Sequence, residues 1–491
     1  MEVERSGWLA GRRRGAMVVV LVGLALAAFL PGVGGYFLSD DWVLLDWTRA
    51  STPGDVAAFF DPNTFWFYRP LLKVYYWAGQ SVFGLRAAPF HIVSLLLHGL
   101  NGYLLYRLAA PHAGWRAGLA AALVFMLVPY HAETVSWIAA TGDLVAVTCT
   151  LGSLLALRRY LADGGARWAA LGGGLFAVGL FTRETTIMLP ALALLAMLTM
   201  FPMRGRLSAR WLGPVAVAYG LALGAYLLVL GVGRQDGSGV ERGGLSFRAL
   251  NVDSVLLGVF DYVHGLVPGG QAVAGLPLDT LRVVVWVEAA LVVVLAVALW
   301  RARMRTALLG LGWLLVTPLV FVFLSPPAPR YFYMPSVGYG ILVGALLGAA
   351  LAIGLAPGRE RAYRAARWAT ALAALALVAW QVGGLLEREN AWRAAGQASG
   401  GVWNDTRTAV PEPEDYAAFF YVDLPGAMGV VPAFGNGVQQ AVQRLYDNRT
   451  ITAERTTCAD LLARPEMPRY SYIFRFKGDG VSPMEREDCI R

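Results

Sequence analysis

Charge is scarce in this chain, and lysine scarcer still. Only 15% of the 491 residues are charged against 57% hydrophobic, and lysine occurs twice, at Lys73 and Lys477. Soluble domains carry about a quarter charged residues, so this composition, with a mean hydropathy of +0.52, excludes a soluble globular protein and commits most of the chain to lipid. Cysteine is nearly absent too: Cys149 lies in an apolar run, and Cys458 and Cys489 lie in the polar C-terminal region, where they could pair if that region faces an oxidising compartment. Three cysteines exclude a disulfide scaffold. There is no internal repeat of about 20–50 residues, which excludes a solenoid. Among the five histidines only His131, with Glu133, hints at a metal, and two candidate ligands fall short of a zinc set. The net charge of +8 does not point to nucleic acid, because the arginines cluster in short loops between apolar runs. Abundant Arg, Ala, Gly and Leu with almost no Lys reads as a GC-rich bacterial genome.

What remains is a series of apolar segments. The first runs from about Ala16 to Leu38 behind Arg12, Arg13 and Arg14; at roughly 20 residues it is long enough to span, and we take it as a retained helix rather than a cleaved signal. Others follow at about 89–110, 117–130, 143–158, 168–182, 185–202, 211–232, 281–300, 306–324, 335–355 and 368–386. Every second connection is basic: Arg107 to Arg116, Arg158 to Arg167, Arg204 to Arg210, Arg301 to Arg305 and Arg359 to Arg367. Positive loops stay inside, so the chain reads as an α-helical polytopic protein of about eleven spans in the inner (cytoplasmic) membrane. Its amino terminus lies inside and its C-terminal region outside. The segment from Val252 to Pro268, with Asp253, Asp261 and His264, is predicted re-entrant or interfacial, because a further span would invert every later loop.

The first outer loop, 39–88, carries Trp42, Trp47, Phe59, Phe60, Trp66, Tyr75, Tyr76 and Trp77, a density that suits the headgroup layer and predicts interfacial helices. Beyond about Glu387 hydrophobicity collapses, dividing a transmembrane domain, 1–386, from a small α/β domain, 387–491. In the latter, strands are predicted at Ala418 to Val422 and Tyr470 to Phe476 and a helix at Gly437 to Tyr446. His91, His98 and Asn101, in the second span, read as interhelical hydrogen-bonding groups.

With this topology the polar residues of the outer loops fall on one side: Asp40 and Asp41; Arg69; His131, Glu133 and Asp143; Arg183 and Glu184; Arg234 to Arg242; and Arg330 to Tyr333. Carboxylates suit a general base and guanidinium forks suit phosphate oxygens, so the gathering predicts a cavity that handles a phosphorylated substrate.

Three stretches then resemble a family. Pro129-Tyr130-His131-Ala132-Glu133-Thr134-Val135-Ser136-Trp137-Ile138, Thr182-Arg183-Glu184-Thr185 leading to Leu189-Pro190, and Arg330-Tyr331-Phe332-Tyr333-Met334-Pro335-Ser336 are similar to membrane-domain motifs of the transmembrane and tetratricopeptide-repeat O-mannosyltransferases, which are GT-C glycosyltransferases. The resemblance covers roughly 17–386. It implies a GT-C-like bundle and an inverting transfer of a sugar, mannose by the family's name, from a polyprenyl-phosphate donor to an extracytoplasmic protein, lipid or envelope glycan. It implies Asp40 as the catalytic base with Asp41 supporting it. Donor contacts would fall to Arg330, Arg183, Glu184, His131, Glu133, Tyr333 and Arg69, with no metal ligands assigned and a divalent cation an open possibility. The chain departs from the family in lacking the repeats, in having Thr141 where Arg is frequent, and in having Arg183 where Lys is common. From other classes, a transporter or flippase of a lipid-linked or anionic substrate, or a noncatalytic scaffold, stays open.

The arginine alternation yields a direct expectation. Engineered cysteines within 55–60 and within 430–436 should both react with a membrane-impermeant reagent added outside; protection of either would overturn the eleven-span orientation.

Overall fold

The computed structural model describes residues 19–23, 25–62, 68–201, 209–232, 251–322, 327–352 and 360–490. The clusters Arg12 to Arg14 and Arg234 to Arg242, together with Trp66 and Arg204, lie outside these residues. Among the described residues six helices are long and apolar enough to cross a bilayer, at 87–113, 138–163, 212–231, 278–301, 329–352 and 361–409. Shorter apolar helices occupy the runs expected near 117–130, 168–182, 185–202 and 306–324.

After the first apolar helix the loop from residue 39 forms α1 (Asp40–Trp47) and α2 (Pro70–Phe83), and a membrane hairpin follows as α3 (Ala87–Ala113) and α4 (Trp115–Met126). Gly114, at φ +88°, turns the chain between α3 and α4, a conformation that costs glycine little. Next come α5 (His131–Ser136), α6 (Thr141–Asp163), α7 (Ala166–Leu180), α8 (Leu189–Thr199) and α9 (Ala209–Val232). The chain continues through α10 (Val252–Leu266), α11 (Leu278–Arg301), α12 (Arg305–Val316), α13 (Tyr333–Ala352) and α14 (Glu360–Ala409).

Lipid offers no hydrophobic drive between helices, so they meet where small residues let backbones approach. Gly340, Gly344 and Gly348 line α13 at four-residue spacing against α4; a Cβ on Gly344 would sit 2.5 Å from the Ala121 backbone nitrogen. Elsewhere Leu221, Leu228, Val283, Leu291, Val294, Leu372 and Leu375 are each more than 60% exposed. A belt of that kind belongs in contact with acyl chains.

Helix α10 has 15 residues, short of a span, and its Tyr262 and Leu266 pack with Phe332. The aromatic loop differs from expectation. Trp42, Phe59 and Tyr76 are buried in protein, and Trp47 and Phe60 are the ones left half-exposed. Trp42 meets Phe37 and Trp403 edge to face instead, burying its ring against protein.

At the boundary expected at 387, α14 runs through unbroken. Its first half is the apolar, exposed part; its second half buries Trp392, Ala395, Ala398, Val402 and Trp403. Gly396 packs so closely on Gly35 that a Cβ would lie 2.7 Å from the Gly35 Cα, while Ser399 Oγ donates to the Phe37 carbonyl at 2.7 Å. The fall in hydrophobicity therefore marks where one helix passes from its exposed apolar half to the half packed in protein.

The C-terminal region is the α/β unit expected. Strands β1 (Ala418–Val422), β2 (Ala427–Met428), β3 (Val431–Pro432), β4 (Thr452–Thr456), β5 (Ser471–Phe476) and β6 (Val481–Pro483) include a four-stranded sheet of order β4-β1-β5-β6, parallel except at β6. Every residue of β1 is buried, as a central strand covered on both faces requires. Helix α15 (Val438–Tyr446) matches the predicted helix, and Cys458 is disulfide-bonded to Cys489.

Candidate active site

The acidic pair is split by the fold. Ser39 precedes α1 at φ 41°, a backbone state rare for a residue with a Cβ, and the two carboxylates of the first turn of α1 leave it in different directions. Asp41 is 1% exposed; its Oδ2 accepts the Leu38 N–H at 2.9 Å and its Oδ1 the Ala139 N–H at 2.6 Å. Burial pushes its carboxyl from the ordinary 3.8 up to about 8, against the pull of those two N–H groups, and the neighbouring Asp40 charge adds to the rise. Asp40 is partly exposed, and its Oδ1 accepts the Asn436 side-chain amide at 2.8 Å. The two carboxylates thus have different work. Asp41 ties the residues before α1 to the turn before α6, while Asp40 lies nearer the surface with one oxygen bonded to Asn436.

A layer of arginine–carboxylate pairs lies on the same side. A guanidinium held out of water needs a counter-charge, and here the motifs supply it to one another. Arg69, ahead of Pro70, forks onto Glu184, Nε to Oε2 at 2.8 Å and Nη2 to Oε1 at 2.5 Å. Arg183 Nε meets Asp143 Oδ1 at 2.8 Å, with both side chains almost fully buried. Arg330 Nη1 meets Glu133 Oε1 at 2.9 Å, and its guanidinium carbon lies 5.2 Å from the Trp137 ring and 4.9 Å from the Tyr331 ring. Arg183 approaches Tyr331 from elsewhere, at 5.6 Å. Breaks in the helices create this convergence. Helix α7 stops at Leu180 and the chain passes through Arg183 into a 3₁₀ turn at Glu184–Met188, and a second such turn, Pro329–Phe332, presents Arg330.

Beneath it lies an uncharged buried layer. Tyr333 OH contacts His98 Nδ1 at 2.8 Å and accepts from Asn101 Nδ2 at 3.1 Å; His131 Nε2 contacts Ser336 Oγ at 2.8 Å, and Ser336 donates to the Tyr333 carbonyl at 2.8 Å. Asn101 also donates to the Leu144 carbonyl at 3.0 Å, so His98 and Asn101 bond between helices as expected; His91 is buried beside Gly35. His131 and Tyr333, expected at the donor, are both 0% exposed and bonded within this network. His131 and Glu133 also diverge to different partners, Ser336 and Arg330. Among the described residues no group of three or more His, Cys, Asp or Glu is placed to hold a metal.

Tyr76 of α2 connects the two parts. Its hydroxyl donates to the Ile138 carbonyl at 2.6 Å, and it lies within electrostatic reach of Asp40, Asp41 and Arg69. Sequence reasoning missed three participants. Asn436 comes from the C-terminal domain; Glu389, on α14, accepts from Ser136 Oγ at 2.9 Å; and Tyr76 was read as an interfacial aromatic. Asn436 stands between Gly435 and Gly437, and nothing local in the sequence names its partner. Two buried groups in the charged layer remain unspent among the described residues, Arg183 Nη2 and Asp143 Oδ2.

Comparison with known proteins agrees with the motifs. Residues 69–229 match the family model described as dolichyl-phosphate-mannose-protein mannosyltransferase. The match contains the stretches at 129–138 and 182–190, so the resemblance to a GT-C membrane glycosyltransferase stands. Curated proteins give no match. Among solved structures the chain is similar to ArnT from Cupriavidus metallidurans bound to undecaprenyl phosphate, at 14% identity and a TM-score of 0.48, covering 89% of this chain and 86% of that one. It is also similar to the Archaeoglobus fulgidus oligosaccharyltransferase in the apo form, at 12% identity and a TM-score of 0.49 over 88% and 64% of the two chains. For the mycobacterial arabinofuranosyltransferase AftD the values are 16% and 0.45, over 90% of this chain and 33% of that one.

The burial of Asp41 has a measurable consequence. A carboxyl that ionises near 3.8 unfolded and near 8 folded stabilises the fold less and less as pH rises between those values. Asp41→Asn keeps the shape but sets an amide N–H against one backbone N–H, a loss of about 1–3 kcal/mol at low pH. The parent's advantage in thermal unfolding should therefore shrink from about pH 4 to about pH 8. A constant difference across that range would show Asp41 ionised throughout.

Proposed function

We propose that this protein is an inverting glycosyltransferase that moves a sugar from a polyprenyl-phosphate donor to an acceptor outside the cell membrane. One observation carries the reading: three arginines from separate segments, Arg69, Arg183 and Arg330, converge within electrostatic reach of Asp143, Arg183 retains a buried N–H group with no partner among the described residues, and Tyr76 lies within reach of both Arg69 and the partly exposed Asp40. A guanidinium has five N–H donors, so contacts through Arg183 Nε and Arg330 Nη1 leave others directed to a phosphate. The match over 69–229 supports a lipid-phosphate donor, and its description makes mannose the first sugar to test.

The reaction follows from these roles. Asp40 takes the proton of the acceptor hydroxyl as its oxygen attacks the anomeric carbon from the face opposite the phosphate. The bond from anomeric carbon to phosphate oxygen breaks, and polyprenyl phosphate leaves with the electron pair, its charge met by Arg330 and Arg183. Glu133, Asp143 and Glu184 hold the arginines in place before the donor arrives. The acceptor, whether protein, lipid or envelope glycan, approaches from the extracytoplasmic side, where this reading also puts the C-terminal domain.

Two variants separate the roles. Positioned proton transfer contributes about 10²–10⁴-fold, so Asp40→Asn should lower transfer by at least about two orders of magnitude with donor binding near the parent's. Arg330→Lys should chiefly weaken donor binding, since a point charge replaces a planar fork. Full transfer by Asp40→Asn would remove Asp40 as base, and unchanged donor affinity in Arg330→Ala would remove Arg330 from the phosphate site.

A further inference from the structure

We propose that Asn436 is a positioning residue for Asp40, so that the C-terminal domain completes the active site. The proposal rests on the assignment of Asp40 as base. Three contacts seat the 433–437 loop on the residues that lead into α1. Ser39 N–H donates to the Ala433 carbonyl at 2.9 Å, Asn436 N–H donates to Ser39 Oγ at 3.1 Å, and the Asn436 amide donates to Asp40 Oδ1 at 2.8 Å.

The fit is close and uses backbone. Gly437, at φ +79°, lies where an added Cβ would come 2.5 Å from the Ser39 carbonyl oxygen and 3.1 Å from Trp42 Cβ. Only glycine supplies both that conformation and that proximity. The loop is in turn fixed to its own domain, since Ala433 and Phe434 both donate to the Gly426 carbonyl and Phe434 packs on Trp403 and Phe476. The Ser39 backbone, strained at φ 41°, is thus held from two chain regions about 400 residues apart, by Asp41 through Leu38 and by the 433–437 loop.

This arrangement gives the two oxygens of Asp40 separate tasks. Oδ1 is occupied by the Asn436 amide, while Oδ2 accepts no hydrogen bond among the described residues and is the oxygen presented to an acceptor hydroxyl. An amide donor suits the task because it fixes the carboxylate plane without adding charge; the loop Ala433-Phe434-Gly435-Asn436-Gly437 contains no titratable group. A catalytic carboxylate free to rotate would lose alignment with the acceptor, and rate is steep in that alignment.

The test compares Asn436→Leu, nearly the same size without a donor, with Asn436→Gln, which keeps the amide on a longer arm. In full-length purified protein, Asn436→Leu should lower kcat about 10-fold with the KM for donor and acceptor little changed, and Asn436→Gln should return to within about threefold of the parent. Gly437→Ala should reproduce the kcat loss with Asn436 intact. In an Asp40→Asn background Asn436→Leu should have no further effect, because the group it orients has gone. Parental transfer by Asn436→Leu, or equal loss in the Leu and Gln variants, would overturn the proposal. Should Asp40→Asn itself transfer normally, the base assignment fails instead, and the positioning role falls with it.

Discussion

A guanidinium group next to a bilayer must have its charge answered, and this requirement organises one end of the molecule. Arg69, Arg183 and Arg330 come from segments more than 100 residues apart, and each finds its carboxylate on another segment: Glu184, Asp143 and Glu133. The pairings draw the end of α7, the start of α6, the short α5 and the turn before α13 to one place. Ion pairs of this kind are weak evidence for stability, because desolvation offsets most of their attraction. Their value lies in orientation. A carboxylate that takes one edge of a guanidinium leaves the other edge directed, and two aromatic rings on Arg330 restrict it further.

The acidic pair obeys the same economy of burial. One member is sealed in protein and accepts two backbone N–H groups that bridge Leu38 and Ala139; the other stands at the surface with one oxygen committed to Asn436. Adjacent carboxylates in the first turn of a helix, with the chain entering through a strained Ser39, can be separated in this way because successive side chains diverge by about 100° around the axis.

Much of the fold was legible because apolar runs and basic loops report on lipid directly. The order of motifs was legible as well, and so were the strands around Phe419 and Phe474 and the helix at 438–446. Pairings across the chain were not, since nothing local in Thr182-Arg183-Glu184 says that Arg183 meets Asp143 and Glu184 meets Arg69. The role of Asn436 was hidden for the same reason. One error has a different cause: hydrophobicity measures transfer from water and does not distinguish lipid from protein interior, so Trp42 and Tyr76 were placed at the headgroups although they pack inside.

The central claim is that the outer arginine layer and Asp40 together transfer a lipid-linked sugar rather than move it or merely bind it. It is tested most directly with purified protein in liposomes, given a polyprenyl phosphate bearing radiolabelled sugar and cell-envelope fractions as acceptor. The account predicts label in the acceptor fraction with release of unlabelled polyprenyl phosphate in equal amount. Label that stays on the lipid, whether it crosses the bilayer or remains where it was added, would contradict it.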